Sequence, residues 1–458
     1  MSHKSRFTRA LAVTTFLIPS PVLAQSSNVD AVRSELDAMR AQMQVMAQRM
    51  EMLEAQLQTA QAQAASATSE AAEATAVATA ASEAATATKV EWKGAPKLSS
   101  SDGWSFKPRG RLHYVVGSFN APDSTGVEDG YGSELRRARL GVEGDIPGGF
   151  GYKFEFDVAG GEVEVTDALV NYEAGDVEIT VGQHNNFQSL EELTSSRFIS
   201  MVERAAFTDA FGFERRLGVS VQYGGEALLV QAGLFNDNSS DLSSKNWSVD
   251  GRVVFMPTFG DAQLHLGGSA HYTKLNESET VRYRQRPLVH FTSERFVNTG
   301  TLDATSERGL GLEAAFISGP FHAASEGFWQ KVNRPGALSD PTFFGGYAEV
   351  GMFLTPGDSR GYKGGTFDRV KPENPVGDGG IGAIQVNLRY DHLDLNDAGV
   401  IGGKQKGYMA SVIWTPIDYL RFQANYGRLD YSDAAFPAAG GDTSYGVDAF
   451  GLAGIVDF

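Results

Sequence analysis

Cysteine is absent from all 458 residues, so neither disulfides nor thiolate-bound metals can hold this chain together. No uncharged apolar run reaches the roughly 18 to 20 residues that a membrane-spanning helix needs, which excludes a helical membrane protein. Positive charge is also short: 39 basic residues face 56 acidic ones, for a net charge of −17. No excess positive field exists to gather nucleic acid, and any anion site must be local. Glycine, by contrast, is abundant at 52 residues, and aromatics make up 10%, a composition suited to many strands joined by turns.

Lys4, Arg6 and Arg9 precede the apolar run from Leu11 to Ile18. Pro19 and Pro21 end that run, and Val22-Leu23-Ala24 offers a small-residue cleavage site before Gln25. Residues 1–24 therefore read as a signal peptide, too short and wrongly flanked for a membrane anchor. Export without cysteine fits a bacterial envelope protein.

From Val29 the apolar residues fall at Val32, Leu36, Met39, Met43, Met46, Met50, Leu53 and Leu57, alternating steps of three and four. That spacing predicts a coiled coil over residues 25–60, which needs partner chains to bury its seam; three chains are expected. A methionine stripe at this spacing is core, so no metal chemistry is assigned to it. Residues 61–102 read as an alanine-rich spacer, either continuous helix or flexible linker.

Past Gly103 the hydrophobic period changes from 3.5 to 2. In Gly151–Val158, Tyr152, Phe154, Phe156 and Val158 share one face while Lys153, Glu155 and Asp157 share the other. A soluble sandwich would bury the apolar face, whereas an outer-membrane barrel turns it to lipid and lines water with the charges. Periodicity alone does not separate the two. The export signal does, together with the unbroken strand pattern and an alternating tail of Phe450, Leu452 and Val456 that ends on Phe458. The predicted fold is an all-β transmembrane antiparallel barrel over 103–458, of about 16 strands at roughly 22 residues per strand and connection, preceded by the α-helical coiled coil. Its place is the outer membrane of a Gram-negative bacterium, among outer-membrane lipid, with the N-terminal arm in the periplasm.

Val281-Arg282-Tyr283-Arg284-Gln285-Arg286-Pro287 sets three arginines on one face of an extended segment. Mutual repulsion of this kind is useful where a small anionic solute binds or passes. Arg137 and Arg139 repeat the device, as do Arg109 and Arg111. Guanidinium groups can replace part of a phosphate's hydration shell through paired hydrogen bonds. The alternative is a charge-balanced wall, in which the arginines pair across strands with Glu134, Glu143, Asp145, Glu155 and Asp157. Residues 103–458 hold 30 basic against 46 acidic residues, so anion preference requires the acids to lie on rim and loops.

Four segments, Glu134–Gly144, Ser189–Ile199, Val281–Pro287 and Gly364–Pro372, resemble the phosphate-selective O/P-type porins. The resemblance implies a homotrimer of 16-stranded barrels, each with its own pore narrowed by an arginine ladder and an inserted loop. It suggests Arg111, Arg136, Arg137, Arg282, Arg284 and Arg286 as lumen arginines, which Arg139 joins through its alternation with Arg137, and Ser189 to Ala205 as the inserted loop carrying Arg197 and Arg204. Phosphate-selective members have a lysine-rich extracellular half; this region carries only Lys107, Lys153, Lys245, Lys274, Lys331, Lys363, Lys371, Lys404 and Lys406.

His265 and His271 share parity on one strand but have no zinc-ligand spacing, and Asp394 to Gly399 only partly mimics a calcium loop. No hydrolase elbow, P-loop or His-Glu-x-x-His occurs, so no enzyme, metal or cofactor is expected. The expected function is a passive trimeric diffusion channel with anion, phosphate-like preference. The alternative is a general or cation-preferring porin whose arm tethers the outer membrane to the cell wall, possible contact with peptidoglycan included.

Overall fold

The computed structural model describes residues 29–241, 245–276 and 279–458. The predicted signal peptide lies outside the described residues. The chain divides into two units, one ending at Ala85 and one from Thr86 onward. In the first, a single helix begins at Val29 and runs to Ala87. Val32, Leu36, Met39, Met43, Met46, Met50, Leu53 and Leu57 are all exposed along it, an apolar seam that one chain leaves uncovered. The alanine-rich part is continuous helix, as alanine's propensity favours. The helical spacer nevertheless stops short of 102: Thr88–Lys93 and Ala95–Ser100 form an antiparallel hairpin, with Gly94 at its turn. Val90 and Trp92 alternate with charged residues there, a period of two that suits strand over helix.

The second unit is a closed antiparallel barrel of sixteen strands. They are β1 (Ser105–Asn120), β2 (Gly130–Ile146), β3 (Phe150–Asp157), β4 (Glu164–Ala174), β5 (Val177–Asn185), β6 (Arg215–Gly224), β7 (Leu228–Phe235) and β8 (Trp247–Phe255). The second half comprises β9 (Ala262–Lys274), β10 (Ser306–Ser318), β11 (Phe321–Asn333), β12 (Thr342–Phe353), β13 (Ala383–Asp397), β14 (Val400–Ile417), β15 (Leu420–Ser432) and β16 (Tyr445–Asp457). Each strand pairs with the next, and β16 returns to β1 from Asp448↔Asn120 to Asp457↔Arg111, so no edge is left open. The Phe458 backbone exchanges hydrogen bonds with Gly110 at 3.0 and 3.1 Å. Its ring lies over Gly110, where any side chain would collide with it.

The wall settles the sandwich-or-barrel question. Phe154 and Val158 point outward and are exposed, while Glu155 and Asp157 point inward and are buried. On β14, exposed Trp414 and Tyr408 are six residues apart, about 20 Å at roughly 3.3 Å per residue, bracketing an apolar band like that of outer-membrane barrels. Short turns join the strands at the end that holds both barrel termini, which marks it as periplasmic. Long connections at the opposite, extracellular end include 186–214 and 275–305. One long segment, 354–382, departs from the periplasmic end instead. Asp394 to Asp397 end β13, and Ala398 and Gly399, at φ 50° and 83°, make the tight turn into β14.

Candidate functional site

Three long connections fold into the barrel and hold on to its inward side chains. Residues 186–214 carry two short helices, Leu190–Leu193 and Ala206–Phe211. The backbone N–H groups of Leu190 and Glu191 donate to Glu326 on β11 at 2.9 and 2.7 Å, that of Ala206 to Asp391 on β13 at 3.0 Å, and that of Val202 to Asn425 on β15 at 2.9 Å. The same loop reaches the other side of the lumen through Ser196, which accepts from Arg111 on β1 at 2.6 Å. A loop that touches β1, β11, β13 and β15 must cross the interior. Its buried Leu190, Met201, Phe207 and Phe211 pack with Phe328, Phe343 and Tyr347 of the wall, filling that side with an apolar core.

From the periplasmic end, residues 354–382 rise to meet it. Arg360 donates to the Ser200 hydroxyl at 3.0 Å, the Phe367 N–H to Thr194 at 3.3 Å, and Arg252 on β8 to the Gly365 carbonyl at 2.8 Å. Residues 275–305 enter from above: the Arg286 N–H donates to Asp209 at 2.9 Å, and His290 meets Glu134 at 3.0 Å.

The arginines singled out in the sequence differ in their partners. Arg139 is paired with Asp157 at 2.9 Å and Glu155 at 3.3 Å. Arg136 makes a two-pronged bond to Glu203 at 2.6 and 3.2 Å, and Arg137 lies beside the same carboxylate at 3.8 Å and on His113 at 3.0 Å. Successive residues of a strand normally point apart. Here a bulge pairs His113 with Arg137 and Tyr114 with Leu135, leaving Arg136 unpaired and turned to the same side as Arg137. Burial pushes the Glu203 carboxyl up, but Arg136 and Arg137 outweigh it and hold it well below the usual range. Arg197 pairs with Asp457 at 2.8 Å. Arg204 donates to the carbonyls of Glu191, Glu192 and Thr194 at 3.0, 3.0 and 2.9 Å, stapling its own loop. The charge-balanced reading thus describes most of the wall; among the described residues Arg111 on β1, Arg308 on β10 and Arg421 on β15 have no carboxylate partner, and Arg421 donates to the Arg197 carbonyl at 2.6 Å.

The ladder is a different case. Arg282, Arg284 and Arg286 do not sit on a wall strand; they lie in the 275–305 connection, where only two-residue pairings interrupt the loop. The alternation survives because Tyr283 and Gln285 are buried beneath them, the former packed on Phe211 and Phe343. The three arginines line one cavity of about 340 Å³ with Arg295, where the acids among the described residues are Asp209 and Glu307. Arg286 reaches Asp209 at 3.3 Å and Arg282 the Asn298 amide at 2.9 Å, while the Arg284 side chain makes no hydrogen bond or ion pair with any described residue. Burial and the positive charges of Arg286, Arg284 and Arg282 push the Arg295 guanidinium down to about 10. An adjoining cavity of about 200 Å³ is lined by Arg136, Arg137, Arg204, Arg286 and His290, with Glu192, Glu203 and Asp209 among them.

The family model described as phosphate-selective porin O and P matches residues 106–448. The chain belongs to this family. A Caulobacter vibrioides protein described as uncharacterized is 48% identical over 387 residues, covering 81% of this chain and 77% of that protein. Among solved structures, an anion-selective porin from Comamonas acidovorans superposes with a TM-score of 0.52 at 14% identity, over 78% of this chain and all (100%) of that one. Salmonella typhi OmpF, solved with daunomycin, gives 0.50 at 12% identity, over 81% and 100%. These two share the fold. The molecule is an outer-membrane porin of the Gram-negative type, and family and fold point to a channel rather than an enzyme.

Two parts of the porin's interior escape sequence reasoning. Arg295 lies nine residues past Arg286 with no pattern linking them, yet the loop folds it back onto the ladder. Within the segment 354–382, Gly364–Pro372 carries the family resemblance but nothing in it shows that the segment enters the barrel, and Arg360 and Arg369 give no periodic signal. The two parity-matched histidines do have carboxylate neighbours, supplied by other strands: His271 meets Asp250 at 2.6 Å and His265 meets Glu313 at 3.3 Å. Among the described residues no group of three or more metal-ligating side chains comes together.

Proposed function

We infer that this porin is a passive diffusion channel whose preference for small anions, phosphate among them, is set at its extracellular mouth. The supporting observation is the imbalance of charge along the path. Most wall arginines are neutralised by a carboxylate within 4 Å, whereas Arg282, Arg284, Arg286 and Arg295 share a water-accessible cavity with two acids, one of them already bonded to the Tyr283 hydroxyl. Fixed positive charges at a pore mouth raise the local anion concentration and repel cations. Phosphate adds the possibility of paired hydrogen bonds from neighbouring guanidinium groups. The exposed heptad seam supports assembly into a trimer through the N-terminal helices, with the arm in the periplasm.

The test is the reversal potential across a planar bilayer under a KCl gradient, for the porin and for Arg282→Ala/Arg284→Ala/Arg286→Ala, with phosphate added to probe block of the chloride current. Anion selectivity that collapses in the variant supports the reading, and block by millimolar phosphate supports the phosphate preference. Cation selectivity in the unmodified protein overturns both.

A further inference from the structure

The outward wall of β12 to β15 is graded in cross-strand rows. Val350, Leu388, Ala410 and Tyr426 form one row; the next toward the extracellular rim runs Ala348, Tyr390, Tyr408 and Arg428; above it come His392, Lys406 and Asp430. Because Ala348 and Ala410 are small, the tyrosines around them stand proud and leave an apolar groove of about 500 Å³, open to the outside. The Tyr390 and Tyr408 rings lie 5.4 Å apart at its upper end. Over that end, Lys406 is exposed and has no ion pair among the described residues, while Arg428 is held by Asp448 at 2.7 Å.

We propose that this groove binds the phosphorylated, multiply acylated glycolipid of the outer leaflet, an acyl chain lying over Ala348 and Ala410 and a phosphate on Lys406. Two observations favour lipid over a second copy of the chain. The polarity changes row by row along the membrane normal, from apolar through tyrosine to charged, as a lipid interface demands. The strands beneath are also tall, 12 to 18 residues, so this face spans the hydrocarbon layer, whereas β3 and β7 have only 8 residues. The groove is outside the lumen and independent of the channel reading.

Full-length protein in detergent, titrated with diphosphorylated lipid A, dephosphorylated lipid A or phosphatidylglycerol and read by native mass spectrometry, decides the matter. The unmodified protein is expected to hold diphosphorylated lipid A at least about tenfold more tightly than either competitor. Ala410→Trp, which fills the groove, should weaken it about tenfold, and Lys406→Ala should shrink the preference for the phosphorylated form several-fold. Val219→Trp on the outward face of β6 should change nothing. Ala348→Leu serves as the groove variant should Ala410→Trp fail to fold. Equal binding of phosphorylated and dephosphorylated forms, or binding unchanged in the folded groove variant, overturns the proposal. So does a shift of the groove variant to monomer, which would assign the face to a second copy. Single-pore conductance of Ala410→Trp should equal that of the unmodified protein, separating this result from any failure of the channel reading.

Discussion

If the ladder acts on ions through its charge, its effect must fade with salt in a calculable way. On the two-residue repeat of an extended chain, neighbouring arginines of the ladder are about 6.6 Å apart, and an ion passing beside the ladder is taken at about the same distance from each. One unit charge at about 6.6 Å in water contributes about 0.6 kcal/mol. At 0.1 M salt, screening over a Debye length of about 10 Å halves this to about 0.3 kcal/mol. Three arginines then favour an anion by about 1 kcal/mol and disfavour a cation by as much, so the permeability ratio changes by about 2 kcal/mol, roughly 30-fold. At 1 M salt the Debye length is about 3 Å, and the same sum falls to roughly a twofold change. Replacing Arg282, Arg284 and Arg286 by alanine should therefore cut the chloride-to-potassium ratio about 30-fold at 0.1 M and about twofold at 1 M, measured as reversal potentials at both salts. An equal loss at the two salts would refute the electrostatic account, because it would show that the arginines act on pore shape.

Glu192 on the inserted loop is pushed above the ordinary carboxylate range by burial, which Arg204 only partly offsets. It should take up a proton before ordinary carboxylates as pH falls, making the site more positive, so anion selectivity should rise on acidification at a pH above the ordinary carboxylate range; Glu192→Gln should show the raised selectivity at neutral pH and lose this response. Removing Glu203 leaves Arg136 and Arg137 without their shared carboxylate, and Glu203→Ala should destabilise the inserted loop by about 3 kcal/mol, read as a lower heat-modification midpoint on gels. Gly110→Val should block seating of the Phe458 ring and reduce the yield of folded barrel, read by the same gel shift. Deleting residues 29–87 should leave single-pore conductance intact while lowering the temperature at which the assembly falls to monomers.

What the sequence revealed and what it hid follow from the range of the interactions involved. The wall was legible because period-two alternation is local: Phe154 and Glu155 announce their opposite faces without reference to any other strand. The Arg282–Arg286 alternation was legible for the same reason, although it belongs to a loop. Its physical cause is the burial of Tyr283 and Gln285, which imposes strand-like geometry on a segment that pairs with almost nothing. The partners were hidden because they come from far along the chain. Glu203 reaches Arg136 across 67 positions, and Asp457 reaches Arg197 across 260, so no spacing rule could say which arginines were already neutralised.

That distinction carries the functional argument. A net charge of −17 would suggest a cation path if charge were spread evenly. It is not: the inward acids Glu155, Asp157 and Asp457 are each engaged by arginine, and on the outer wall Asp430 and Asp448 hold Arg428. A paired charge contributes little field beyond a few ångströms, so the potential an ion meets is governed by the residues left over. Along the inserted loops those are Arg282, Arg284 and Arg295 of the ladder connection, with Arg360 on residues 354–382; the first three are held apart from compensation by a loop whose buried face fixes where its charged face points. Selectivity in this porin would then be a property of three connections and not of the barrel, so exchanging the 275–305 loop should transfer ion preference while leaving the sixteen-stranded wall unchanged.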